Sequence, residues 1–378
     1  MKVSGDWLTR TETQAVCAAL TGAGHRALLV GGCVRNALLG VAVSDIDIAT
    51  DALPKSVSDI AKTAGLKCVP TGIEHGTVTV IAGGIPHEVT TFRRDVQSHG
   101  RHATVAFSTD LAEDAARRDF TMNALYATPE GDVIDPLSGL ADLIARRVRF
   151  VGDAQTRIVE DYLRILRFFR FHAVYGDPAG GLDAEGLAAC AANSAGIDTL
   201  SRERIGAEMR KLLTAPDPAP AVATMGRAGI LARVLPGADV SALAPLVHLE
   251  AGGARRWLCR LAVLGGDAEG LRLSRTESTT LGHIRDEIGT LRGAAELGYC
   301  HGKMLAADII LARAAVLGMP PPMGWQADVA RGAAARFPVS AADLMPALQG
   351  AVLGERLKQL EARWIASGFA LDRKALLG

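Results

Sequence analysis

Apolar and polar positions follow two rhythms along this chain, and the change comes near residue 152. Before it, short strand patterns alternate with helical ones. Thr13 to Leu20 has helical spacing, and Gly24 stops it. Ala27 to Val30 is a short buried strand ended by Gly31-Gly32, and Asp45 to Ile48 alternates polar with apolar as a half-buried strand does. Pro54 and Gly65 bracket a helix. Thr77 to Ile81, the Gly83-Gly84 turn and Ile85 to Phe92 predict a hairpin. Arg93 to Thr104 is rich in Arg and His around Gly100, has little apolar content, and predicts a mobile loop. After residue 152 the strand signal stops. Asp153 to Val174 contains no Pro or Gly and predicts one long helix, and Ala- and Leu-rich helical periodicity runs from there onward. Ala215 to Pro220 predicts a linker and Pro320 to Pro322 a second break. The pattern is a small α/β head followed by an all-α body.

Length and charge sharpen this division. A chain of 378 residues exceeds what one core usually supports. With 49% apolar and 22% charged residues it is not a disordered chain. The net charge of zero hides an asymmetry. Residues 1–200 carry 19 Lys/Arg and 24 Asp/Glu, residues 201–378 carry 22 and 17. An acidic front suits metal binding and a basic back suits a polyanion. No apolar run approaches the ~18 residues of a membrane span, and Met1 to Arg10 lacks the apolar stretch of a secretory signal. The six cysteines stand singly, as they do in proteins of a reducing cytosol.

Three clusters carry candidate chemistry. In the first, Gly31, Gly32 and Arg35 follow a strand, and Asp45 and Asp47 come next. Residues two apart on a strand share a face, so both carboxylates point one way while Ile46 and Ile48 face the core. Such a pair binds hard divalent cations, and a strand–Gly-Gly–helix turn seats phosphate oxygens. Neither a P-loop nor a dinucleotide fingerprint is present. Glu88 is either a third metal-site carboxylate or a solvent-facing strand residue. The second cluster runs Arg117, Arg118, Asp119, Phe120, Thr121, Met122, Asn123. Its arginines could grip a triphosphate, or it is a charged helix start. In the third, Glu160, Asp161, Arg164, Arg167 and Arg170 lie among Leu163, Ile165, Leu166, Phe168 and Phe169. Asp161 and Arg164 share a patch if the segment is one helix, whereas Arg170 has turned away.

In this order the three clusters, over roughly residues 25–210, resemble the class II tRNA nucleotidyltransferases, the CCA-adding enzymes and their poly(A) polymerase relatives. Gly72 to Val80 is similar to the CCA-adding branch, and the Gly-Arg-Arg-Phe-like element of the polymerase branch is missing. The resemblance implies an α+β, polymerase-β-like nucleotidyltransferase head over residues 1–150. It implies an all-α remainder: a neck at 151–214 that recognises the base, and a body and tail at 215–378 that bind tRNA. It implies that Asp45 and Asp47 are catalytic and hold Mg²⁺, beside which Glu88 stands as the candidate third catalytic carboxylate. Gly31, Gly32 and Arg35 would hold phosphates, Arg118, Asp119 and Asn123 the triphosphate and ribose, and Asp161 and Arg164 the base edge, with Arg167 and Arg170 nearby. The neck would include Ser201 to Arg204 and Glu208. Asn36 departs from the family's usual Asp. The implied activity is addition of CCA to tRNA 3′ ends from CTP and ATP in the cytoplasm, with no membrane and no obligate protein partner. A poly(A) polymerase, a partial CC- or A-only adder, and an inactive RNA-binding protein on the same scaffold are the alternatives.

Overall fold

Among the described residues, nine strands fall in the first 134 positions: β1 Leu28–Val30, β2 Asp47–Thr50, β3 Lys67–Gly72, β4 Thr77–Ala82, β5 Ile85–Thr91, β6 Arg93–His99, β7 His102–Phe107, β8 Tyr126–Ala127 and β9 Val133–Ile134. The computed structural model describes residues 1–99, 102–253 and 256–378. The main sheet has the order β3-β4-β5-β2-β1-β8-β9. It is antiparallel except where β2 runs parallel to β5. Leu29, Ile48, Val78 and Val89 are fully buried in it. The helices at Thr11–Gly22 and Pro54–Thr63 and the β4–β5 hairpin follow the sequence pattern, with Gly83 and Gly84 at positive φ in the turn.

The Arg93–Thr104 segment is not a loop. β6 and β7 pair as an antiparallel two-stranded ribbon, with residues 100 and 101 outside the described ones. Backbone ladder bonds form whatever the side-chain pattern, so apolar periodicity alone does not reveal such a ribbon. The single helix expected over 153–174 is also two: Ala154–Glu160 and Leu163–Tyr175. Asp161 between them is extended (φ −155°, ψ 103°), and its Oδ1 accepts from the Leu163 N–H at 3.1 Å. A side chain that caps the next turn competes with helix continuation. The break is also wedged from outside. Gly196 lies so close to the Tyr162 ring that a Cβ there would stand 2.0 Å from it.

Two compact units divide the chain, Met1–Val234 and Leu235–Gly378. The Pro-rich stretch at 215–220 is therefore internal to the first. Ala215 and Ala219 are buried, and the Ala219–Arg227 helix packs on the Leu163–Tyr175 helix. The charge asymmetry shrinks with this boundary: residues 235–378 carry 16 Lys/Arg and 14 Asp/Glu, because residues 201–234 hold 6 and 3. The first unit's helical part is built on Phe120, Phe150, Phe168 and Phe171, with Phe150 stacked on Phe168 at 5.4 Å. The second unit is helical. Its Ala294–Leu317 helix kinks at Gly302 and meets the Trp325–Ala334 helix at Gly298 and Gly332, where any Cβ would strike the facing backbone. Pro320 to Pro322 separate these two helices, as expected. No helix among the described residues is long and apolar enough to cross a membrane.

Candidate active site

Sheet and helices of the first unit enclose a cleft of about 810 Å³, lined by Asp45, Asp47 and Glu88 on one side and by Arg167 and Lys211 on the other. The alternation read from sequence builds the acidic wall. Ile46 and Ile48 are buried, Asp47 is half-buried and Asp45 is exposed. The parallel register sets Asp47 directly beside Glu88. Burial, Glu88 and Asp45 push the Asp47 carboxyl up to about 6, and Arg118 opposes them. This is the signature of anionic oxygens crowded without enough positive charge. Hard carboxylate oxygens suit a divalent cation, and a cation between Asp45 and Asp47 would relieve the crowding. Among the described residues no three His, Cys, Asp or Glu side chains converge as a closed metal cage. The pair is an open donor set, with room for substrate oxygens.

Behind the cleft lies a buried arginine network. Gly31 turns at φ 71°, and a Cβ there would stand 3.3 Å from Arg118 Nη1, so the Gly-Gly turn and Arg118 are packed together. Arg118 and Arg117 both grip Asp114, at 3.0 and 2.8 Å. Tyr126 Oη also donates to Asp114 at 2.7 Å. Burial would raise the Asp114 carboxyl, but the two arginines hold it below the usual range. Arg35 is 7% exposed and donates to the Asn123 amide oxygen, to Tyr175 Oη at 2.8 Å and to Asn36 Oδ1 at 2.9 Å. Asn36, where a carboxylate was expected, therefore still orients Arg35 through neutral hydrogen bonds. Asn123 passes the chain on, donating to Asp119 Oδ1 at 2.8 Å. Asp119 Oδ2 takes Arg167 Nε and Nη2 at 2.8 and 2.5 Å. Although burial opposes it, Arg167 with Asn123 and the Phe120 N–H holds Asp119 down to about 2. Arg170 donates to Glu208 at 2.5 Å and lies 4.5 Å over the Phe171 ring. Arg167 lies over that ring at 5.2 Å, so the two arginines share a side of the helix, as their spacing of three residues requires.

Asp161 and Arg164 do not form a pair on one helix. Asp161 accepts from Arg204 at 2.7 Å. Arg164 Nη1 donates to Glu160 at 2.6 Å and to the Arg157 carbonyl at 2.7 Å. The i,i+3 argument assumed a continuous helix, and the break at Asp161 removes that premise. Both side chains are nonetheless fixed by ion pairs, and Arg164 Nε has no protein acceptor among the described residues. Of the residues expected at the site, Asp45, Asp47, Glu88 and Arg167 line the cleft itself. Arg35, Asn123 and Asp119 join them through Arg167, and Gly31 and Arg118 through the turn. Sequence reasoning missed Asp114, Tyr126, Tyr175 and Lys211. Asp114 had a local signal, since it precedes Arg117 and Arg118 by three and four residues on a helical turn. The others are long-range partners with none.

Known proteins supply the context for this geometry. The poly(A) polymerase head domain model matches residues 27–149, and a second model, described as a probable RNA and SrmB-binding site of polymerase A, matches 182–241. The chain is 44% identical over 191 residues to the mitochondrial CCA tRNA nucleotidyltransferase 1 of Mus musculus, covering 50% of this chain and 44% of that one. It is 41% identical over 216 residues to a CCA-adding enzyme of Geobacillus thermodenitrificans, covering 57% and 52%. The matched stretch thus spans about half the length of these curated relatives. Among solved structures, the Bacillus stearothermophilus CCA-adding enzyme in complex with CTP superposes with a TM-score of 0.76 at 30% identity, covering 96% of this chain and 94% of that one. A Thermotoga maritima CCA-adding enzyme complexed with tRNA shares the fold at a TM-score of 0.71 and 18% identity. Nucleotidyltransferases with this head generally use a divalent metal.

Proposed function

The chain belongs to the family of the CCA-adding enzymes, and on that premise we propose that it adds C and A from CTP and ATP to tRNA 3′ ends without a nucleic-acid template. The observation that carries this reading is the cleft in which Asp45, Asp47 and Glu88 face Arg167 and Lys211. The terminal 3′-hydroxyl oxygen attacks the α-phosphorus, the bond to the β-phosphate oxygen breaks, and pyrophosphate leaves with the charge. Asp45 and Asp47 would hold Mg²⁺, which when bound lowers the cost of deprotonating the hydroxyl and of charge on the phosphoryl oxygens. Gly31, Gly32, Arg35 and Arg118 hold the triphosphate end, and their fixed hydrogen bonds mean little reorganisation on binding. Head at 1–150, neck at 151–214 and body and tail at 215–378 are divisions of role in this reading, with the base read in the neck, and the second division falls inside the first compact unit, which ends at Val234.

Asp161 and Arg164 read the base edge. The ionised Asp161 only accepts, matching the exocyclic amino group that C and A share. Arg164 only donates, matching their ring-nitrogen acceptor, where G and U present an N–H. Arg204 and Glu160 hold the two side chains ready without using every site on them. Six free cysteines, four of them buried, suit a reducing compartment, and we assign the activity to the cytoplasm.

The test uses tRNA transcripts ending before CC, before C and before A, with labelled CTP or ATP and Mg²⁺. Stepwise completion to CCA with pyrophosphate release, and none with UTP or GTP, is the expected result. Long A tails would assign a poly(A) polymerase instead, extension of only one transcript class a partial adder, and no incorporation on any of them would remove the activity.

A further inference from the structure

Lys211 belongs to none of the clusters legible in the sequence, yet it lines the cleft opposite the carboxylates. It sits in the last turn of the Arg202–Leu213 helix, whose Ile205, Met209, Leu212 and Leu213 are buried and fix the helix in the core. Glu208, three residues earlier on the same helix, is the carboxylate that would ordinarily pair with it. Glu208 is already taken by Arg170 at 2.5 Å, with Arg167 at 3.9 Å. The other cations around the cleft are likewise committed: Arg167 to Asp119, Arg118 to Asp114, and Arg35 to Asn123 and Tyr175. Lys211 has no ion pair or hydrogen bond among the described residues, and it is exposed into the cleft.

We propose that Lys211 is a phosphate-binding residue of this cleft, contacting either the triphosphate of the nucleotide or the last phosphodiester of the RNA. The inference rests on the polyanionic substrates of the proposed function. An anion entering a cleft with three carboxylates on one wall is repelled unless positive charge is available. The arginines already spend donors on protein acceptors, carboxylates for Arg167 and Arg118 and neutral groups for Arg35, whereas Lys211 brings its charge with all three donors free. It lines the cleft from a helix and not from the strands that carry Asp47 and Glu88, so it can meet a phosphate that the carboxylates themselves would repel.

Two binding measurements on the full chain separate the sources, and neither needs turnover. One titrates ATP or CTP with Mg²⁺ and no RNA. The other titrates a tRNA transcript lacking CCA, without nucleotide, across a salt series. Lys211→Ala should raise one of the two Kd values about 10-fold, the scale of one charge-assisted hydrogen bond. Lys211→Arg should restore it. A rise in the nucleotide arm assigns the triphosphate. A rise in the RNA arm, with the log–log salt slope reduced by about 1, assigns the phosphodiester. Both Kd values within twofold of wild type would overturn the proposal, as would a rise that Lys211→Arg does not restore. A wild-type protein that binds these ligands but incorporates nothing would strike the proposed function and leave the Lys211 result readable.

Discussion

Asp47 and Asp119 are aspartates of the same compact unit, yet their surroundings drive them apart, one to about 6 and the other to about 2. Asp47 stands on the sheet wall beside two further carboxylates, and Arg118 only partly compensates. Asp119 stands behind the helical wall with a bidentate arginine, an asparagine amide and a backbone N–H on its two oxygens. Lys211 apart, the arginines of the helical wall are balanced by protein partners, so their geometry exists before any ligand arrives. The sheet wall lacks positive charge, and that deficit is what a bound cation would fill. Perturbed carboxylates of the first kind mark candidate reaction centres, and those of the second kind mark the frame that holds one.

The largest effects should come from the deficient wall. Asp45→Ala or Asp47→Ala should reduce nucleotide incorporation by roughly 10³-fold, on the scale of removing a principal transition-state stabiliser. Circular dichroism should show the fold intact, because Asp45 is exposed and Asp47 carries unfavourable charge. Near-normal incorporation by either variant would move the reaction centre away from this pair. The balanced wall should respond in stability first. Asp119→Ala strands the Arg167 guanidinium, which is 30% exposed, and should cost about 3 kcal/mol, the lower end for a broken buried pair. Urea unfolding of the variant measures it. Because its folded pKa is depressed, Asp119 contributes stability that is fully present above the unfolded value near 4 and is lost as pH falls toward 2. Wild type and Asp119→Ala should therefore converge in acid.

A smaller effect tests whether the helical wall reads bases as well as framing the site. Asp161→Ala should relax discrimination against UTP and GTP by about 1–3 kcal/mol, judged from protein–base pairs. It should leave triphosphate binding largely unchanged. The measurement is kcat/KM for all four nucleotides on a tRNA lacking CCA. If Asp161 only anchors Arg204, selectivity stays as in wild type and stability drops by less than about 1 kcal/mol.

The same contrast explains what the sequence revealed. The acidic wall was legible because its chemistry is local: Asp45, Ile46, Asp47 and Ile48 alternate as the chain enters β2, which begins only at Asp47, and the glycine turn lies just upstream. Glu88 was readable only as an even choice, since its place beside Asp47 depends on a parallel pairing across some forty residues. The balanced wall was legible as arginines without partners. That Arg167 belongs to Asp119, Arg170 to Glu208 and Arg164 to Glu160 follows from packing, and only the last pair has a helical spacing. The expectation that Asp161 and Arg164 pair failed for a related reason. Periodicity sees no Pro or Gly at 161, whereas the backbone breaks there through a side-chain cap and a glycine that approaches from residue 196.

The smallest effect tests the sheet wall's deficit directly, through stability instead of turnover. Asp47→Asn keeps the shape of the side chain and removes its charge. With its folded pKa raised to about 6 and an unfolded value near 3.9, the folded wild type holds a proton between these limits that the unfolded chain has released. Wild-type stability therefore falls as pH rises through that window, and the cost of the ionised carboxylate is fully present above about pH 6. The two proteins should be equally stable near pH 4. At pH 7.5 the variant should be the more stable, by about 1–2 kcal/mol once partial solvent exposure discounts the two-unit shift. Adding Mg²⁺ at pH 7.5 should raise the wild-type Tm, because a cation that binds only the folded chain stabilises it, and should raise the variant's less. A variant no more stable than wild type at pH 7.5 would mean that Asp47 is not short of positive charge. The difference between the two walls would then lie in geometry alone.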